Sequence, residues 1–339
     1  MSSSSNSLVS VIIVNYNGAQ VIEDCLRSVF AQPYRPIEVI VVDNDSSDES
    51  VRLIGDRFVE VKLIQNEKNL GFAGGNNRGV AEAKGEYVVL LNNDAVVESS
   101  WLSGLVGMLH RPNVGAATSK VITERVPDRF YEMNGTINYL GYNIMREFSD
   151  LSQVFFAGGA SLTFRRDVVG KPFINEYFLY QEDVYLSWKL RLRGMTVAMA
   201  QDSVVHHKGS VSARQQKNEL VTYYQERNRM LNTLLFYEAR TLFLLLPYFL
   251  ADALAKVLLS IIGGRKSFVG IIRAYWWICC HISWIASERT SHQALRVVPD
   301  STITAMMSYK VVEGDSAVAQ MLNRLSKSYA RLVGLAFHG

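Results

Sequence analysis

Three times in its first hundred residues the chain repeats one device: an apolar, largely β-branched run stops abruptly in a polar cluster. Leu8 to Val14 ends at Asn15-Tyr16-Asn17-Gly18, Ile37 to Val42 at Asp43-Asn44-Asp45-Ser46-Ser47, and Tyr87 to Leu91 at Asn92-Asn93-Asp94. Short apolar runs bounded by such clusters read as strands buried on both faces. Helical patterns lie between them: a stripe of Val21, Ile22, Cys25, Leu26 and Val29, a second over Ser50 to Ile54, and a third over Gly71 to Ala83, with a further strand at Val59 to Ile64. Strands alternating with helices at this spacing predict an α/β fold with a mostly parallel, doubly wound sheet, whose ligand crevice lies beyond the strand carboxyl ends. The three polar clusters are therefore predicted to converge on one rim.

Asp94, at the end of its strand, sits where such a fold places a ligand-binding group, and an acid in an oxygen-rich site suits Mg²⁺ or Mn²⁺ holding a diphosphate. Asn-Asn-Asp also makes turns and helix caps, so the three residues alone leave both readings open. From about residue 113 to 170 the pattern breaks into short Gly- and aromatic-rich pieces, including Phe155 to Ala160, read as the acceptor half of a cleft. Glu176 to Gly194 carries acids and aromatics into a helix, and Thr196 to His207 is a strand ending in a His pair.

A net charge of +3, with acids and bases nearly balanced, supplies no basic field for nucleic acid. Cys25, Cys279 and Cys280 are odd in number and lack metal-ligand spacing, which fits a reducing cytosol. Met1 to Ser7 is a polar tail without the basic and apolar regions of a secretory signal, and is expected to be disordered. Residues 242 to 262 are strongly apolar but contain Pro247, Asp252 and Lys256; residues 267 to 286 combine Phe, Trp and Ile with Arg273 and His281. Charges within such segments favour helices lying on a membrane surface over a spanning hairpin, and a soluble helical subdomain or a homo-oligomer face is the remaining reading. Gly263-Gly264-Arg265-Lys266 between them supplies a turn and positive charge suited to a cytoplasmic leaflet.

The order of these pieces resembles the family 2 inverting glycosyltransferases of the GT-A fold, in particular their rhamnosyltransferase-like branch. The resemblance is carried by Val9 to Gly18, Val41 to Asp48, Asn69 to Gly79, Leu90 to Asp94 and Glu182-Asp183, within residues 8 to 230. It implies a GT-A domain over 8–230, with a nucleotide-sugar half (8–112) and an acceptor half (113–230), followed by a helical, membrane-associated region over 231–339. It further implies that Val14, Asn15 and Asp43 grip base and ribose, that Asn76 and Asn77 offer amide contacts, and that Asn92-Asn93-Asp94 fills the DxD position with Asn in place of the first acid. Asp94 would then hold the Mg²⁺ or Mn²⁺, joined by His207, although strand alternation leaves His206 as the competing ring. Asp183 would be the catalytic base, with Glu182, Gly159 and Ala160 toward the acceptor; where the family often has a further acid, this chain has Tyr185. The implied reaction moves a sugar, with dTDP-rhamnose as one candidate donor, from a nucleotide-diphosphate donor to a saccharide or lipid-linked acceptor in cell-surface polysaccharide synthesis. It would do so in the cytoplasm, at the inner face of the cell membrane. A processive synthase would carry a QxxRW motif, which Trp188-Lys189-Leu190-Arg191 does not match, and a nucleotidylyltransferase would open on a Gly-rich loop that Asn15 to Gly18 does not supply. An inactive membrane-bound scaffold of the same fold is the alternative from another class.

Overall fold

The computed structural model describes residues 7–123, 135–144, 154–208, 218–262, 265–312, 314 and 316–337. The tail up to Asn6, Gly209-Ser210 after the His pair and Gly263-Gly264 lie outside the described residues. Ser7, the last residue of the expected tail, is bonded to Glu86 through its hydroxyl at 2.6 Å. The chain forms two compact units, one of Met1–Asn134, Phe148–Leu186 and Thr196–Gln215, the other of Gly135–Glu147, Ser187–Met195 and Gln216–Gly339.

The first unit is built on an eight-stranded sheet. Strands β1 (Val9–Asn15), β2 (Ile37–Asp43), β3 (Lys62–Gln65) and β4 (Tyr87–Asn92) are joined by β5 (Ala95–Val97), β6 (Val114–Thr123), β9 (Ser161–Arg165) and β10 (Thr196–His207) in the order β3-β2-β1-β4-β9-β6-β10-β5. β3, β2, β1 and β4 run parallel, as do β6 and β10; β9 is antiparallel to β4 and β6, and β5 to β10. The apolar runs bury on both faces, with Ile12, Ile13, Ile40, Val41, Val88, Val89 and Leu90 sealed from solvent, each contributing roughly 1.5–3 kcal/mol. Helix α1 (Ile22–Phe30) turns Ile22, Cys25, Leu26 and Val29 inward, the stripe that its sequence spacing requires. α2 (Ser50–Arg57) and α3 (Gly71–Glu82) follow their strands, and α4 (Trp101–Leu109) packs on β6 and β10. Four-residue α5 spans Arg166–Val169, and α6 spans Glu182–Leu192.

The third strand is shorter than its apolar run suggests. Val59 is 82% exposed, and pairing with β2 begins only at Lys62. An apolar residue in a connection mimics a strand start when burial is not known.

The second unit holds the two-stranded β7 (Thr136–Ile137) and β8 (Asn143–Ile144) and helices α7 (Asn218–Phe236), α8 (Ala239–Ile262), α9 (Arg265–Cys280), α10 (Ile282–Gln293), α11 (Asp300–Thr304) and α12 (Ala317–Leu332). Trp188 is core, stacked on Phe236 at 5.5 Å and edge-on to Tyr237 at 4.9 Å. Trp276, by contrast, stands 71% exposed.

Candidate active site

Register alone brings the polar clusters together. Asn15 pairs across the sheet with Asp43, and Val14 with Asn92, so the carboxyl ends of β1, β2 and β4 reach one edge. The side chains there form a connected chain. Asn93 Nδ2 donates to Asn15 Oδ1 at 3.1 Å, and Asn15 Nδ2 donates to Asp43 Oδ1 and to Ser50 Oγ, each at 2.8 Å. Asp43 also accepts from the Ser46 amide at 2.9 Å and hydroxyl at 2.6 Å. Asn15 is fully buried and Asp43 nearly so, which makes Asn15 a bolt between the two loops. Gly18 closes over it: a Cβ there would meet Asn15 Oδ1 at 2.3 Å and Asn93 Nδ2 at 2.4 Å, so a larger residue would push this bonded pair aside.

β10 delivers the His pair with opposite fates, as strand alternation demands. His206 is half-buried and pairs with Glu98 at 2.8 Å. His207 is buried, its Nε2 3.1 Å from Asp94 Oδ1 and 3.1 Å from Asn92 Nδ2. One nitrogen cannot serve both neighbours in one state: protonated it donates to Asp94, bare it accepts from Asn92. The bare state is the one that a cation requires. Two donor atoms at right angles on an octahedral ion, each about 2.1 Å from it, stand about 3 Å apart, so the Asp94–His207 separation fits a shared divalent ion. Among the described residues no group of three or more His, Cys, Asp or Glu forms a metal cluster, so two protein donors would leave the remaining positions to phosphate oxygens and water, as Mg²⁺ commonly has it. Lys208 pairs with Asp24 at 2.8 Å, and its amide donates to the Asp94 carbonyl at 3.0 Å.

Two hydrogen bonds join this end of β4 to the second acid. The Asn92 amide donates to the Ala160 carbonyl at 3.1 Å, and the neighbouring Gly159 amide lies 3.4 Å from Asp183 Oδ2. Asp183 also accepts from the Val184 amide at 2.8 Å. Burial pushes the Asp183 carboxyl up to about 6, against the pull of those amides. Glu182 is raised further, to about 8, by burial first and then by the Asp183 charge. Its Oε2 is sealed from solvent, and no hydrogen bond among the described residues reaches it. A buried acceptor without a partner costs about 1–3 kcal/mol, the signature of a group kept for a ligand.

The segment before these acids is strained. Phe178, Tyr180 and Gln181 all adopt positive φ (58°, 69° and 67°), at roughly 1–3 kcal/mol each. The start of α3 holds it in place. The Ala73 amide donates to the Phe178 carbonyl at 3.2 Å, and Gly71, at φ 69°, leaves the room that Phe178 fills, since a Cβ there would stand 2.3 Å from that carbonyl oxygen. Asn77 Nδ2 donates to Phe173 O at 2.8 Å and Asn175 Oδ1 at 2.6 Å, and its Oδ1 accepts from the Phe173 amide at 3.1 Å. Asn76 turns back to the Phe72 carbonyl at 2.9 Å. Both amide side chains thus hold the protein's own backbone. Sequence reading missed this clamp, whose one signal is the Gly71 and Asn77 spacing, and it missed Ser46 and Ser50 as partners of Asp43 and Asn15. Arg227, which lies in the second unit, is buried among the rings of Tyr223, Tyr224 and Trp277 at 4.8–5.0 Å.

Comparison with known proteins agrees with this geometry. Residues 10–172 match the family model described as glycosyl transferase family 2. Poly-beta-1,6-N-acetyl-D-glucosamine synthase of Staphylococcus aureus is 27% identical over 200 residues, which are 56% of this chain and 47% of that protein; the chain spans about half the length of the curated relatives it matches. Among solved structures, GalNAc-T7 with UDP, GalNAc and Mn²⁺ aligns with a TM-score of 0.59 at 15% identity, over 85% of this chain and 58% of the other. The mannosyltransferase PcManGT of Pyrobaculum calidifontis, in complex with GDP-Man and Mn²⁺, aligns with a TM-score of 0.51 at 18% identity, over 97% and 81%. Residues 10–172 thus match glycosyl transferase family 2, within a chain that has a GT-A fold and a C-terminal helical region.

Proposed function

We propose that the protein is an inverting glycosyltransferase that moves a sugar from a nucleotide-diphosphate donor to a saccharide or lipid-linked acceptor in cell-surface polysaccharide synthesis, at the cytoplasmic face of the membrane. The observation that supports the reading is the pair of hydrogen bonds, Asn92 amide to Ala160 carbonyl and Gly159 amide to Asp183, which tie the end of β4 to the loop beside Asp183. Asp43 and Asn15, with Val14, shape the nucleoside end; Asn92 and Asn93 fix the loop that presents Asp94. Asp94 and His207 would hold Mg²⁺ or Mn²⁺, which when bound would stabilise negative charge on the departing diphosphate. Asp183, partly exposed, takes the proton of the attacking acceptor hydroxyl; in-line attack from the side opposite the leaving group inverts the anomeric centre. Glu182, protonated at neutral pH, donates its proton in a hydrogen bond to the acceptor, with the Gly159-Ala160 backbone beside it. The neighbours' ligands, UDP and GDP-Man, belong to those proteins; rhamnose is the donor sugar that the resemblance to the rhamnosyltransferase-like branch implies.

The test is a panel of UDP-, GDP- and dTDP-sugars with Mg²⁺ or Mn²⁺ and membrane lipid extract as acceptor, read by nucleoside diphosphate release. Release from one donor class, lost in Asp183→Asn, supports the reading. No release from any donor under these conditions overturns it in favour of a scaffold.

A further inference from the structure

α8 is inverted relative to an ordinary surface helix: its mid-helix charges, Asp252 and Lys256, point into the protein and a stripe of its apolar residues points out. Phe243, Leu246, Leu250, Leu254, Leu258 and Ile261 recur every three or four residues, and each is between 47% and 74% exposed. Asp252 and Lys256 lie about half a turn away from that stripe at 100° per residue. They are locked in a buried network within the second unit. Arg229 Nη2 is 2.5 Å from Glu226 Oε1 and 2.9 Å from Asp252 Oδ2, the Tyr142 hydroxyl donates to both Asp252 oxygens at 2.8 and 2.9 Å, and Lys256 pairs with Glu226. The Tyr275 hydroxyl adds a bond to Glu226 at 3.1 Å. The 23-residue segment Ala239–Ile261 is long and apolar enough to cross a membrane by length and composition. Crossing would pull this network into hydrocarbon along with one face of the helix, where buried charges are costly. Lying in the interface plane costs nothing of the kind, because that face already rests on protein.

Charge identifies the occupant of the stripe. Residues 231–339 carry eleven Lys and Arg against six Asp and Glu. Two of the acids, Asp252 and Asp300, are consumed in internal pairs, while Arg240, Lys310, Arg324 and Arg331 are exposed. α12 packs beside α8 through the Tyr329 hydroxyl on the Leu244 carbonyl at 2.6 Å and the Tyr329 ring 5.0 Å from that of Tyr248. It carries exposed Val318, Met321 and Leu325 of its own, next to Arg324. Apolar faces flanked by exposed cations match an anionic lipid surface. We infer that α8, with α12 beside it, lies flat in the headgroup layer of an anionic membrane, its leucine stripe embedded and its Asp252–Lys256 face docked on the protein. This rests on the reading of the chain as membrane-peripheral, and its test needs no donor or acceptor, so its failure leaves the catalytic reading standing.

The full chain is floated with vesicles of phosphatidylcholine alone and of phosphatidylcholine with phosphatidylglycerol. Binding is expected only to the anionic vesicles, to weaken with salt, and to fall about tenfold or more in Leu250→Glu/Leu254→Glu, whose unchanged thermal melt and near-UV circular dichroism show that it folds. Equal flotation of that variant overturns the inference. So does a lipid-free dimer in light scattering that the variant dissociates while vesicle binding is absent, which would make a second copy the occupant. In a Cys279→Ser/Cys280→Ser background, Arg240→Cys and Leu259→Cys are each expected to react with an impermeant maleimide outside sealed vesicles. Protection of one of them alone would mean that the helix spans, and would also overturn the inference.

Discussion

Two clusters of buried charge can be set side by side. In the second unit Glu226, Arg229, Asp252 and Lys256 satisfy one another, with Tyr142 and Tyr275 taking up the remaining hydrogen-bonding capacity. In the first unit Glu182 and Asp183 are adjacent acids with no ion pair to a base among the described residues, one Glu182 oxygen there without a hydrogen bond, on a strained approach. A closed network needs nothing from outside and acts as structure. An open one is unfavourable until a ligand completes it, so folding alone does not account for it.

The comparison is sharpest in activity. Asp183→Asn is expected to lower nucleoside diphosphate release by about 10²–10⁴-fold, the range of a general base, with thermal stability unchanged or raised because a buried charge is removed. A variant that loses stability in step with activity would place Asp183 with the structural acids. Asp94→Ala should cost about 10²–10³-fold and raise the Mn²⁺ concentration needed for half-maximal rate, measured by metal titration; an unaltered metal requirement would break the Asp94–His207 assignment. Glu226→Gln inverts the pattern. Leaving Arg229 short of a counter-charge is expected to cost about 3–5 kcal/mol in urea denaturation, with the rate per folded molecule little changed. Asn77→Ala gives the smallest effect, about 1–3 kcal/mol of stability and a fall in kcat with donor KM nearly constant, since it loosens the clamp on residues 173–175 without touching donor. A rise in donor KM alone would make Asn77 a ligand contact instead.

The rim of the site was legible because two local facts produce it: apolar runs fix the strands, and in a parallel sheet their carboxyl ends must share an edge. Asn15, Asp43 and Asp94 follow from that without any knowledge of packing. What the residues do with their side chains did not follow. Asn15 reads as a ligand contact but is sealed between Asp43 and Asn93, a consequence of loops that approach only after folding. His206 and His207 are separable only once β10 is registered against β5 and β6. Asp252 and Lys256 looked like interruptions of an apolar segment because their partners, Arg229 and Glu226, lie more than twenty residues away in sequence and Tyr142 more than a hundred.

The most direct measurement is the pH dependence of kcat/KM for donor turnover with saturating metal. Burial lifts the Asp183 carboxyl to about 6, and a base must be ionised to accept a proton, so the rate should fall tenfold per pH unit below about 6 and level off above it. The residual activity of Asp183→Asn should lack that break. A profile flat across this range, or a break that survives in Asp183→Asn, would contradict the assignment of Asp183 as the group that activates the acceptor.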